Sequence, residues 1–189
     1  MKNNFNHLAA AATLAVAGLF AGASAQAAAV AVDVSGAQSI NLLGEAGNTV
    51  WLIDVGANAV LTSLDWALDL NAFSPSLLAE MQVSFGDSSG LSLLTFTPGG
   101  ADFNSGGGSY SGSLDLTPYG VSVGADGLLR LEFSEAFKDF ANGVAEGEWV
   151  SGNLTFGVSV GALPEPGSIS LVLLGLGVAG FSVKRARRD

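Results

Sequence analysis

Cysteine is absent from all 189 residues, which excludes disulfides, thiol catalysis and thiolate metal sites. Histidine is nearly as scarce, since His7 is the only one. If the first residues are removed from the mature chain, every Ser-His-Asp arrangement and every histidine metal site goes with them. Positive charge is also short. Fifteen of the seventeen acidic residues lie between Gln26 and Leu163, against two of the seven basic ones, Arg130 and Lys138, a balance of −13. A region so charged repels phosphate backbones, so no nucleic acid is expected as a partner.

The N-terminus is organised as an export signal. Met1 to His7, with Lys2 as its one Lys or Arg, precedes an apolar run from Leu8 to Phe20, and small residues follow. Ala23-Ser24-Ala25 supplies an A-x-A site, with Ala23 and Ala25 placing the cut before Gln26. Residues 1–25 are therefore predicted to be a signal helix, carried by the Sec translocon and removed by signal peptidase. A retained membrane helix is the weaker reading, because the run falls short of the ~20 residues that span a bilayer.

The other end has three parts: Pro164-Glu165-Pro166, an apolar run from Ile169 to Val183, and a basic cluster of Lys184, Arg185, Arg187 and Arg188. As a helix the apolar run rises only about 22 Å, marginal against a ~30 Å hydrocarbon core, but Leu163 or Gly167 and the basic stems can extend it. Residues 167–183 are predicted to be a transmembrane helix and 184–188 its cytoplasmic basic anchor, leaving everything before Pro164 outside.

These residues, 162–189 in all, resemble the PEP-CTERM sorting domain of Gram-negative, matrix-forming bacteria. The resemblance implies an exosortase as partner, processing near Pro164, Glu165 and Pro166, an inner-membrane intermediate, and delivery to the cell surface or exterior. The alternative is a permanent tail anchor, in which the two prolines only break the chain ahead of the membrane helix. That alternative leaves Glu165 without a role.

Between the signals, residues 26–161 read as strands. Leu64, Trp66, Leu68 and Leu70 alternate with Asp65, Ala67 and Asp69, and the same period of two recurs at Met81–Phe85, Tyr110–Leu116, Leu129–Phe133 and Leu154–Val160. Less regular strands are expected at Ser39–Leu43, Thr49–Val55 and Leu91–Thr97, about eight in all. Glycine, asparagine and aspartate at Gly44–Asn48, Gly86–Gly90 and Ala125–Gly127 mark the reversals, and Pro98–Ser109 is expected to be a mobile loop. Short helical turns are expected near Ser74-Pro75 and from Ser134. The fold class is all-β: an antiparallel β-sandwich, jelly-roll-like, flanked by the signal helix and the transmembrane helix.

Candidate chemistry is sparse. Gly106-Gly107-Gly108 lacks the following helix and the Lys-Ser/Thr pair of a phosphate cradle. Asp65 with Asp69, or Glu132 with Glu135, could be imagined as the paired carboxylates of a glycosidase, but Asp65, Asp69 and Glu132 lie on the polar parity of their strands and are expected at the surface. The loops Phe85–Gly90 and Ala125–Gly127 offer oxygens to a structural Ca2+, although no D-x-D-x-D-G loop is present and no metal ligand is assigned. Trp51, Trp66, Trp149, Tyr110 and Tyr119 could stack on sugar rings. Trp66 falls on an apolar parity and is expected in the core, which leaves Trp149, beside Glu146 and Glu148, as the candidate for ligand stacking.

No catalytic residue and no cofactor are expected. The expected role is structural or adhesive, in an exopolysaccharide or biofilm matrix. The alternatives are a secreted carbohydrate-binding or carbohydrate-active module, and a tail-anchored envelope protein.

Overall fold

The alternation read from the sequence closes into two sheets. In this computed structural model residues 27–160 are described, and the expected signal helix, Ala23, Ala25, the segment 162–189 with its Pro164-Glu165-Pro166 motif, and Lys184 to Arg188 lie outside them. The described residues fall in one compact unit, Gln26–Gly161. The strands are β1 (Ala27–Asp33), β2 (Ala37–Ser39), β3 (Thr49–Asp54), β4 (Val60–Ala72), β5 (Met81–Asp87), β6 (Leu93–Phe96), β7 (Gly106–Asp115), β8 (Leu128–Glu135) and β9 (Gly147–Ser159).

One sheet has the order β1-β9-β4-β7, with β2 continuing the edge beside β9, and the other has the order β3-β8-β5-β6. The pairs β1–β9, β3–β8, β4–β7 and β5–β6 are all antiparallel and nested in sequence. β9 against β4 and β8 against β5 then join the pairs within each sheet. That nesting is a jelly roll, in which a long hairpin is wrapped so that its two arms alternate between facing sheets.

The apolar parity of each strand makes the core. Leu61, Leu64, Leu68 and Leu70 from β4 and Leu154, Phe156 and Val158 from β9 face Met81, Val83 and Phe85 from β5 and Leu129, Leu131 and Phe133 from β8, all buried. Phe85 meets Phe156 edge-on with centroids 5.1 Å apart, and Phe133 meets Trp149 at 5.0 Å, so aromatic pairs stitch the two sheets together. Each such side chain contributes roughly 1.5–3 kcal/mol through burial, which is how a sandwich without disulfides is held.

Several expectations need correction. β1 was not expected, and the strand expected over Ser39–Leu43 is instead the short β2, with Leu42 reaching only an isolated bridge to Glu135. Gly106–Gly108 belong to no loop; they open β7 opposite Leu70 to Ala72. Glycine is tolerated there because large rings cover the missing side chains: the Tyr110 ring lies over Gly108 and the Trp66 ring over Gly112. No helix starts at Ser134, which continues β8 as far as Glu135. At Ser74-Pro75 the chain makes a turn with a cis peptide bond. The one short helical element described is a 3-10 turn at Thr117–Tyr119, and among the described residues no helix is long and apolar enough to cross a membrane.

Candidate functional site

The outer face of the β1-β9-β4-β7 sheet carries short polar side chains in register. Thr155, Asp65 and Ser113 form one row across β9, β4 and β7, Asn153, Ala67 and Ser111 the next, and Ser151, Asp69 and Ser109 the third. Asp69 accepts hydrogen bonds from Ser109 Oγ at 2.6 Å and Ser151 Oγ at 2.7 Å. The two hydroxyls hold its carboxyl below the usual carboxylate range. Beside this row lies an open depression of 590 Å³, lined by Asp69, Asn71, Ser109, Glu148 and Val150 among others. Asp65 and Asp69 are exposed, as their parity requires.

Trp149 is not a stacking residue. Its side chain is fully buried, donating from Nε1 to Ser39 Oγ at 3.3 Å while its ring packs on Phe133. β9 turns Trp149 inward, and of the acidic neighbours that suggested an exposed site, Glu146 is itself buried and Glu148 half-buried. Trp51 is also engaged, 4.9 Å edge-on from Phe133, and Trp66 lies half-buried 4.6 Å from Phe96. Tyr110 donates to Asp102 Oδ2 at 2.7 Å, and burial first, then that bond, push its phenol up to about 12. Only Tyr119 of the aromatic set is exposed, on the 3-10 turn.

Glu132 is at the surface by parity but not in fact. The loop Leu42–Asn48 folds over it, and it accepts from Gly44 N at 2.7 Å, Asn48 Nδ2 at 2.8 Å and Arg130 at 2.6 Å. Burial would raise its carboxyl, but these donors outweigh burial and leave it lowered. Nothing in a period-two pattern announces a loop lying across the polar face.

The loops considered for Ca2+ do meet, through Ser88 Oγ and Asp126 Oδ2 at 2.5 Å. Their carboxylates are taken up internally: Asp126 Oδ1 accepts from Leu128 N, and Asp87 Oδ1 from the backbone and hydroxyl of Ser89. Among the described residues no group of three His, Cys, Asp or Glu side chains is placed to hold a metal ion.

A second cluster was not found from the sequence. Where β2, β5, β8 and the chain before β9 meet, Glu135 and Glu146 are 1% and 0% exposed. Glu146 forms a 2.6 Å ion pair with Lys138 and accepts from the backbone N–H groups of Asp139 and Phe140 at 2.9 Å. Burial alone would raise the Glu146 carboxyl; Lys138 and the two N–H groups reverse that and lower it. Both Glu135 oxygens lack a hydrogen bond. Burial, and then the charge of Glu146, push that carboxyl up to about 8, against the opposing influence of the nearby Ser39 hydroxyl. The available signal was Lys138 itself, the only lysine between Gln26 and Leu163, preceded by Phe137 and followed two residues on by Phe140.

Comparison with known proteins bears on the C-terminal segment. A family model described as the PEP-CTERM protein-sorting motif matches residues 162–188. Among curated proteins none matches the sequence. Among solved structures the domain is similar to the VP2 subviral particle of infectious bursal disease virus, at 10% identity and a TM-score of 0.32, over 76% of this chain and 35% of that one. So distant a likeness carries no argument, and the jelly-roll assignment rests on the strand order. The chain therefore carries a PEP-CTERM protein-sorting motif at residues 162–188, the mark of an exported surface protein handled by an exosortase.

Proposed function

We propose that the mature domain is a non-catalytic, structural or adhesive component of an extracellular polysaccharide matrix. The observation that carries this reading is the sorting motif at residues 162–188, which follows β9 almost directly, so the jelly roll is the cargo of the signal. Sec export, removal of residues 1–25, a membrane intermediate held by residues 167–183, and processing near Pro164-Glu165-Pro166 complete the route. The outer face of the β1-β9-β4-β7 sheet supports adhesion, because its Ser, Thr, Asn and Asp side chains offer hydrogen bonds suited to a hydroxyl-rich polymer. The carbohydrate-binding alternative loses its proposed anchor with the burial of Trp149, and any sugar contact falls instead to that polar face.

The test is fractionation of cells that possess an exosortase and a matrix. Wild type is expected outside the inner membrane, without its tail and bound to the exopolysaccharide. Replacing Pro164, Glu165 and Pro166 together by alanine is expected to leave a full-length, membrane-held chain with a folded domain. Normal release of the triple variant sinks the sorting route, and hydrolysis of the polymer by the purified protein sinks the non-catalytic reading.

A further inference from the structure

Lys138 is the only lysine among the described residues, and it is drawn inward. Its side chain is 13% exposed, and its Nζ lies 2.6 Å from Glu146 Oε1, on a side chain that is 0% exposed. Its other hydrogens go to the carbonyls of Ile40 and Val144. An ion pair taken this far out of water costs desolvation that mutual attraction repays only in part. The same geometry places an amine against a carboxyl carbon whose oxygens are already held by two backbone N–H groups, those of Asp139 and Phe140. Such paired donors would stabilise the oxyanion of a tetrahedral intermediate. Nearby stands Glu135, buried and without a hydrogen bond on either oxygen, its carboxyl pushed up to about 8, first by burial.

We propose that Lys138 and Glu146 are joined by an intramolecular amide bond, formed by condensation inside the folded domain. The Lys138 ammonium passes one proton to the Glu146 carboxylate. Nζ then attacks Cδ of Glu146, and the N–Cδ bond forms while the developing oxyanion is held by the N–H groups of Asp139 and Phe140. Glu135, whose oxygens are hydrogen-bonded to neither partner in the resting arrangement, closes on the pair, hands its proton to the departing oxygen and takes one from the attacking nitrogen. The C–O bond breaks and water leaves. An ammonium and a carboxylate become one amide and one water, with no oxidant, no co-reactant and no net proton. The product removes two charges from the interior. It keeps one N–H for the carbonyl of Ile40 or Val144, and one C=O for Asp139 and Phe140. In an exported chain without cysteine it supplies the covalent tie that a disulfide cannot.

The test is mass spectrometry on the full-length protein, denatured and then digested at lysine and arginine. The cross-linked chain is expected to resist cutting after Lys138, and the fragment that begins at Leu131 is expected to be lighter than its sequence by one water. Glu135→Gln keeps the shape of the side chain but cannot shuttle the proton, so the bond is expected to form about a hundredfold more slowly or worse. Circular dichroism establishes that each sample was folded before digestion. A folded wild type that is cut after Lys138 into fragments of full mass overturns the cross-link. A bond formed at the wild-type rate in Glu135→Gln overturns the part given to Glu135.

Discussion

At the scale of single residues, Glu135 carries the clearest consequence for stability. Its carboxyl is pushed up to about 8 in the folded domain from an ordinary 4.5, with burial the first cause. Between those pH values the unfolded chain has lost a proton that the folded one keeps, so this group makes stability fall as pH rises from about 4.5 to about 8. Outside that window its contribution is flat. Because Glu135→Gln also withholds the cross-link, its stability shifts by a constant amount at every pH, and what the carboxyl itself predicts is the pH dependence: relative to wild type the variant is expected to be better by a few kcal/mol at pH 8 than at pH 4. Urea unfolding at the two pH values measures the difference, and an equal change at both would assign the whole effect to packing and the lost cross-link. The first cause, burial, survives the loss of the Glu146 charge that an amide bond would bring.

At the scale of elements, β9 shows how a long strand bends without breaking. It pairs with β4 over nearly its whole length, with a register shift between Asp69 and Leu70 that leaves Val150 without a Cα partner on β4 and exposed. Just beyond, Gly152 adopts φ +114, and a Cβ there would stand 2.1 Å from the Ala67 carbonyl oxygen. Strain and clash therefore coincide in an interior strand. Gly36, in the turn between β1 and β2, also has a positive φ of +82 but nothing within 4 Å. Gly152→Ala is expected to cost more than ~2 kcal/mol, and Gly36→Ala only about 1 kcal/mol, the ordinary cost of a left-handed residue. Thermal unfolding of both variants gives the comparison, and equal losses would show that β4 yields to the added methyl group. The same strands mark how far the sequence was legible. β4, β5, β7, β8 and β9 were readable because one face of each is apolar and the other carries polar or small side chains, which imposes the period of two even in β5 and β8, where Ser84, Glu132 and Ser134 are buried. β1 was not, because Ala27-Ala28-Ala29 continues the small-residue composition of the preceding segment and hides the alternation of Val30 and Val32. The cluster of Glu135, Lys138 and Glu146 was hidden for a different reason: Glu135 ends β8, but Lys138 and Glu146 come from the irregular segment between β8 and β9, and loop paths leave no periodic trace. Trp149 misled because its acidic neighbours suggested a wet strand, whereas the bulge beside Val150 keeps the ring in the core.

At the scale of the whole molecule, the nested pairing sets the order in which the fold can be completed. β1 pairs with β9 from Ala27 opposite Ser159 to Asp33 opposite Asn153, so the first strand of the domain lies beside the last. β9 also fills the place between β1 and β4. Until residues 147–159 are exported, β4 lacks its main partner and β1 has none, which leaves strand edges and apolar faces open. The sorting motif begins at residue 162, only a few residues beyond β9, so the jelly roll closes as the sorting segment arrives. A chain ending at residue 145 keeps most of its apolar residues but cannot close the sheet, and it is expected to be degraded by protease under conditions in which the full domain survives intact. A chain ending at residue 161 keeps β9 and loses only the sorting segment, so it is expected to resist protease like the full-length protein while leaving the membrane fraction. Limited proteolysis of the two truncations, side by side, decides the matter. Protection of the shorter chain would mean that the remaining strands form a stable sheet without β9, and that closure does not wait for the C-terminal strand.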